Sequence, residues 1–198
     1  ELFSVEHPNM SNDTAEFLAL LQEQNERMSQ MTKTLLEMSE LRTVECKDTI
    51  EIAPMIEEIF TDLAPLAEKK NIRLEYNGNG MMIGSDTLIY RLLFNLTENA
   101  IRYNRENASV IITVDEKNNQ LYIRVKDNGY GIPKQYRESI FQPFFRVDKS
   151  RSRAYGGVGL GLSLVWEIVL LHNGTVKAEK SDKNGTVMLV TLPQKTNK

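Results

Sequence analysis

Two short apolar rows set the terms for this chain. Val110, Ile112 and Val114 recur at every second position, and Leu121, Ile123 and Val125 do the same after the polar turn "EKNNQ". A period of two places each row on one strand face. The pair therefore predicts a sheet with one apolar side, and helices must cover it.

The remaining sequence supplies those helices. Pro54 suits a first helical turn, and Ile56, Ile59, Leu63 and Leu66 form one apolar face, with a kink expected at Pro65. Ile72, Leu74 and Tyr76 alternate as a strand ended by "NGNG" at 77–80. Asp86 can cap a helix running to about Tyr103. A short helix is expected near 134–141, and a longer one ends around His172, with Gly174 placed as its stop. Strands near 175–181 and 186–192 follow, joined by the hairpin turn "DKNG". The fold class is α+β: a two-layer α/β sandwich whose mixed, mostly antiparallel sheet is covered by helices on one face.

Ahead of this lies a different pattern. Asp13 and Glu16 read as a capping box. Phe17, Leu21, Met28, Met31, Leu35 and Met38 then recur at steps of four and three, with Gln24 in the one skipped position. Such a heptad seam needs a partner helix, either a second copy of the chain or a segment preceding Glu1.

Composition narrows the function. A net charge of −3 over 198 residues argues against nucleic acid as a partner. Cys46 is the single cysteine, so no internal disulfide forms and a reducing compartment is expected. No apolar run reaches the roughly 20 residues that span a bilayer, so a membrane enters only through a segment upstream of Glu1.

The chemistry-bearing residues fall in three places. Asn95, Asn99 and Arg102 share one helical face, bordered by Leu92, Leu93, Leu96, Ala100 and Ile101. Three polar residues on a helix are ordinarily a solvated face, but so narrow a stripe predicts the border of a cleft. Asp127 continues the inward row of Leu121, Ile123 and Val125, and a carboxylate there is costly unless hydrogen-bonded. It opens "DNGYGIP", where Gly129 and Gly131 allow a sharp turn or close approach to a flat ligand. Lastly, "GGVGLGL" at 156–162 places glycines at a helix start, where exposed N–H groups favour an anion. Upstream stand Arg146, Lys149, Arg151 and Arg153, cations suited to phosphate. No Gly-Lys-Ser/Thr follows the glycines, and Lys134 breaks the dinucleotide fingerprint.

In this order and spacing, the pieces resemble the ATP-binding catalytic domain of sensor histidine kinases, a branch of the GHKL ATPase superfamily, over roughly residues 50–193. "NLTENAIRYN" (95–104) resembles its N-box, "DNGYGI" (127–132) its first glycine box, and "FQPFFRVDKSRSR" (141–153) its F-box and lid. "GGVGLGL" resembles the second glycine box and "GTVMLVTLP" (185–193) the closing strand.

The resemblance implies an ATP site of Asn95, Asn99, Arg102, Tyr103, Asp127, Gly129, Gly131, Ile132, Phe144, Arg146, Lys149, Gly157, Gly159, Leu160, Gly161, Leu162 and Thr186. Asp127 would accept from the adenine amino group, with Thr186 and water assisting. Asn99, with Asn95 beside it, would hold Mg²⁺. Arg102, where the family commonly has lysine, would contact phosphate. The hydrolysing relatives carry a glutamate where this chain has Asn95, which cannot take a proton, and Glu98 lies about a hundred degrees around the helix from Asn99. The implied activity is phosphoryl transfer to a histidine in two-component signalling. A GHKL-type ATPase and a non-enzymatic nucleotide-binding regulator are the alternatives.

The same resemblance divides the chain into residues 1–45, part of a dimerisation and phosphoacceptor hairpin, and 46–198, the catalytic domain. It implies as partners the kinase's own dimerisation domain in a homodimer and a response regulator. The location would be a cytoplasmic domain of a parent that is often membrane-anchored. Neither His7, in a loop before Pro8, nor His172, expected to meet a helix dipole, fits the acceptor position. The chain therefore reads as a piece that binds ATP without phosphorylating itself.

Overall fold

The computed structural model describes residues 12–41, 44–147 and 158–194. His7, Lys149, Arg151, Arg153, Gly156, Gly157 and the side chains of Asp13 and Glu16 lie outside them. Helix α1 (Asn12–Glu40) precedes the rest. Then follow β1 (Asp48–Glu51), α2 (Ile52–Glu68), β2 (Arg73–Asn77), β3 (Met81–Gly84) and α3 (Asp86–Arg102). The chain continues through β4 (Ser109–Lys117), β5 (Gln120–Asp127), α4 (Gly161–Leu171), β6 (Thr175–Asp182) and β7 (Gly185–Pro193).

Five strands form one sheet in the order β2-β4-β5-β7-β6. Among the described residues only β2 and β4 pair in parallel, because the chain crosses over through α3 between them. The alternating rows face inward as expected: Val110, Ile112, Val114, Leu121, Ile123 and Val125 are all buried. Against them pack Ile56, Ile59 and Leu63 of α2, Leu92, Leu93 and Leu96 of α3, and Val165, Ile168 and Val169 of α4. Helix α3 touches both α2 and α4. The two-layer α/β sandwich is thus present, with the sheet mostly antiparallel and its helices on one face.

Helix α1 leaves much of its seam in the open. Phe17, Leu21, Met28 and Leu35 are exposed, whereas Met38 packs against the core.

Several local features depart from the sequence expectations. Two strands, β1 and β3, were not foreseen; they pair as a separate antiparallel ribbon. At four residues each, they carry too little alternation to register as strands. The expected helix at 134–141 is two 3₁₀ turns, Lys134–Tyr136 and Ser139–Phe141, since so short a segment gains too few hydrogen bonds to propagate an α-helix. Asp86 does not cap α3. Ser85 holds the cap position, and the Asp86 N–H donates to Asp48 Oδ2 at 3.0 Å, so β1 supplies the acceptor. After α4 the left-handed position is taken by Asn173 (φ 55°), a residue that tolerates it. Gly174 serves a different need: a Cβ there would lie 2.5 Å from Thr191 O.

His172 stands at the end of α4 as expected, as its cap residue, but it is 1% exposed. Its Nε2 accepts the Ser85 N–H at 3.1 Å, which leaves Nδ1 to donate to Ile168 O at 2.8 Å. The ring is therefore neutral, and burial lowers its pKa from the ordinary 6.5. Above that value the imidazole is neutral folded or unfolded. Below it the unfolded chain takes up a proton that the folded ring resists, so this residue's contribution to stability falls with pH. His172→Ala should cost about 1–3 kcal/mol in urea unfolding at pH 7.5, because the buried Ser85 N–H loses its acceptor. The same variant should lose this part of the acid sensitivity between pH 7 and 5.

Candidate functional site

Helix α3 carries the first half of the site. Its deep face is apolar apart from Thr97, whose hydroxyl donates to Leu93 O at 2.7 Å, and Asn95, Asn99 and Arg102 emerge half-buried along the edge of the helical layer. Asn95 Nδ2 donates to Arg91 O at 2.7 Å, which fixes the amide and turns its oxygen the other way. That oxygen faces the start of α4: a Cβ on Gly161 would sit 2.7 Å from Asn95 Oδ1 and 3.9 Å from Asn99 Nδ2. Glycine at 161 is required for this approach. The N-terminus of α4, with its outward N–H groups and positive dipole end, thereby lies beside the paired amides.

Arg102 pairs with Glu98 at 2.8 Å, one turn earlier. The end of α3 is held by the Lys70 ammonium, which donates to the carbonyls of Ile101, Arg102 and Asn104, the shortest at 2.5 Å. This fixes the C-cap residue Tyr103, whose side chain is exposed.

The second half of the site sits at the end of β5. Asp127 Oδ1 accepts two backbone N–H groups, from Gly129 at 2.8 Å and Thr186 at 3.1 Å. Among the described residues no donor reaches Oδ2. Burial pushes the carboxyl up to about 6, although both amide bonds favour its charged form. A desolvated carboxylate with one oxygen anchored and the other open is suited to receive an N–H donor.

Three glycines allow this arrangement. A Cβ on Gly129 would lie 2.3 Å from Tyr103 O, tying the loop to the end of α3. Gly185 (φ 125°) passes so close to Asp127 that a Cβ would meet its carbonyl oxygen at 2.0 Å. Gly131 (φ 73°) stands against the β6–β7 hairpin, 1.9 Å from Asp182 O by the same measure. The space beside Gly131 is thus filled by the protein, and a ligand does not explain that glycine.

Of the remaining predicted residues, Phe144 is half-exposed with φ 63°, and its N–H donates to Gly159 O at 2.9 Å. This joins the F-box segment to the second glycine segment. Arg146 is half-buried nearby in sequence. Leu160 is buried, and the half-buried Leu162 packs against the core. Ile132 likewise packs on the core, and its N–H donates to Ser181 Oγ at 2.6 Å. Lys149 and Gly157 lie outside the described residues.

Two contributors were missed from sequence. The sequence marks Gly185 as a turn residue and the start of the closing strand without showing its contact with Asp127, and nothing in it singles out Ser181. The "NGT" run at 184–186 was the available signal for the first.

Residues 84–196, over half the chain, match the family described as histidine kinase-, DNA gyrase B- and HSP90-like ATPase. The chain belongs to this family. Within this ATPase family its likeness is to sensor histidine kinases. It is 33% identical over 187 residues to the sensor histidine kinase WalK of Bacillus subtilis (strain 168), covering 90% of this chain and 30% of that protein. The catalytic domain of the histidine kinase ThkA superimposes with a TM-score of 0.65 at 27% identity, covering 76% of this chain and 98% of that domain. A further structure, of ThkA in complex with the response regulator protein TrrA, gives a TM-score of 0.72 at 23% identity over 98% of this chain and 55% of that one. That last likeness speaks to the fold. The chain thus spans less than a third of WalK's length.

Gly131→Ala in nucleotide-free protein should lower stability by at least about 2 kcal/mol in urea unfolding, from left-handed strain and the hairpin clash. A glycine needed only by a ligand would leave the empty protein's stability unchanged.

Proposed function

We propose that this ATPase-family domain binds Mg-ATP and passes its γ-phosphoryl group to a histidine on the dimerisation domain of the parent kinase, in two-component signalling. The observation that carries this reading is Asp127, a desolvated carboxylate with one oxygen anchored and one open at the rim of the helical layer. Such a group suits the exocyclic amine of adenine. From Tyr103, against which Gly129 packs, the paired amides lie about 6 to 12 Å back along α3 by helix rise, and with the α4 N-terminus they form a second polar region suited to phosphates.

The residues fit a magnesium ion. No cluster of three or more His, Cys, Asp or Glu among the described residues could hold a metal alone. Mg²⁺, however, commonly takes one or two protein oxygens together with water and phosphate oxygens. Asn99, with Asn95 beside it, would supply them, and the bound ion would offset phosphate charge. Arg102, Arg146 and Lys149 would add positive charge, while Gly157, Gly159 and Gly161 would let a lid close. Tyr103 would lie along the nucleotide.

Transfer is favoured over hydrolysis by what surrounds Asn95. An amide takes no proton from water, and this one is fixed to Arg91 O. Glu98 is held in an ion pair with Arg102. Neither is available as a general base. A GHKL-type ATPase would need one, and a non-enzymatic regulator would need only the binding site.

The acceptor would come from outside the described residues. Both ring nitrogens of His172 are engaged inside the fold, and His7 has the wrong neighbours. This chain should accordingly bind nucleotide but not phosphorylate itself. We place residues 1–45, with the long α1, in the dimerisation region and residues 46–198 in the catalytic domain. A response regulator would receive the phosphoryl group. No helix among the described residues is long and apolar enough to cross a membrane, and a cytoplasmic domain of a membrane-anchored parent is the location proposed.

Asp127→Asn should weaken ATP binding at least tenfold in a calorimetric titration, the loss of about one charged hydrogen bond. Unchanged affinity would overturn the site. Because the carboxyl sits near 6, wild-type affinity should rise between pH 5 and 7 as its acceptor form fills, and this dependence should vanish in Asp127→Asn.

A further inference from the structure

Strand β6 contains a bulge that changes which side chain reaches the base end of the site. Val176 and Ala178 face inward, so strict alternation would send Lys180 in next. Instead the register slips between Ala178 and Lys180, with Ala178 opposite Met188 and Lys180 opposite Val187. The extra residue, Glu179, stays outside and pairs with Arg124 at 3.1 Å. Lys180 is turned out and Ser181 is turned in, opposite Thr186. Bulges commonly re-aim a side chain beside a functional site.

Ser181 is 4% exposed and Thr186 6%. Ser181 Oγ accepts the Ile132 N–H at 2.6 Å and lies 2.9 Å from Thr186 Oγ1. The Arg137 guanidinium donates to Ser181 O and holds the strand in place. The direction of the hydroxyl pair follows from the protons. Among the described residues, the one acceptor within reach of the Ser181 proton is Thr186 Oγ1. If Thr186 donated to Ser181 instead, the Ser181 proton would be buried with no acceptor. With Ser181 as donor it is the Thr186 proton that lacks an acceptor among the described residues. Thr186 is the member of the pair whose backbone holds Asp127, so its proton can find an acceptor in the site itself.

We propose that Ser181 is a positioning residue for base selection: it commits the Thr186 hydroxyl to donate, so that a donor stands next to the Asp127 acceptor. This rests on the reading of Asp127 as the adenine anchor. An acceptor beside a donor matches the N1 and 6-amino edge of adenine, and mismatches an oxo base that carries a hydrogen on its ring nitrogen.

The test is displacement of a fluorescent ATP analogue by ADP and by 1-deaza-ADP, whose N1 is replaced by CH. For wild type, loss of N1 should weaken binding about five- to tenfold. In Ser181→Ala the Thr186 hydroxyl is free to turn, and the ratio should fall to about twofold or less, whereas Ser181→Thr keeps the donor and should retain it. Should Ser181→Ala fold poorly, Thr186→Val serves, with the ratio falling to about one, and Thr186→Ser restoring it. A merely structural role for Ser181 would weaken both ligands equally and leave the ratio at the wild-type value, which would overturn the proposal. A wild-type ratio near one, with ADP bound and sensitive to Asp127→Asn, would overturn it while leaving the adenine anchor standing. Absence of ADP binding to wild type would remove both.

Discussion

A carboxylate pulled out of water at the end of a strand organises this molecule. Asp127 continues a row of buried aliphatic side chains, and its position is tolerable because two backbone N–H groups converge on one of its oxygens. That convergence demands close packing. The loop after β5 must approach Tyr103, and the β6–β7 hairpin must approach Asp127 itself, and only glycine fits at 129 and 185. The closing hairpin, the first glycine segment and the end of α3 are thus assembled around one acid. The remaining oxygen accepts no donor among the described residues.

Helix α3 joins this acid to the rest of the site. One side supplies Leu92, Leu93 and Leu96 to the core, so its rotation is set by hydrophobic burial. With the rotation fixed, Asn95 and Asn99 have nowhere to go but toward the start of α4. Lys70 holds the far end by donating to carbonyls that the helix cannot satisfy itself. Core packing therefore determines where the polar groups stand, and the neutral, buried His172 fixes the start of the same helix through Ser85.

Much of this was legible from the residues because the signals were periodic. The rows at 110–114 and 121–125 predicted two strands and the inward aim of Asp127, and the helical spacing of Asn95 and Asn99 put them on one face. Short or aperiodic features were not legible. The four-residue strands β1 and β3 are defined by pairing with each other, which no local pattern encodes. Gly131 illustrates a deeper ambiguity: sequence reveals that a side chain is excluded, not whether a ligand or the protein's own hairpin excludes it. His172 was legible as a helix-end residue, but its burial was not, because its partner Ser85 is 87 residues away. Ser181 was hidden by the bulge, since counting by twos along β6 selects Lys180 in its place.

The central claim is that the acid, the amides and the α4 N-terminus form one nucleotide site. The most direct test is an amide NMR titration of the wild-type chain with a non-hydrolysable ATP analogue and Mg²⁺. The account predicts that the Gly129, Thr186 and Gly161 signals shift together along a single saturation curve. Signals that stay in place at saturating nucleotide, or that follow unrelated affinities, would contradict it.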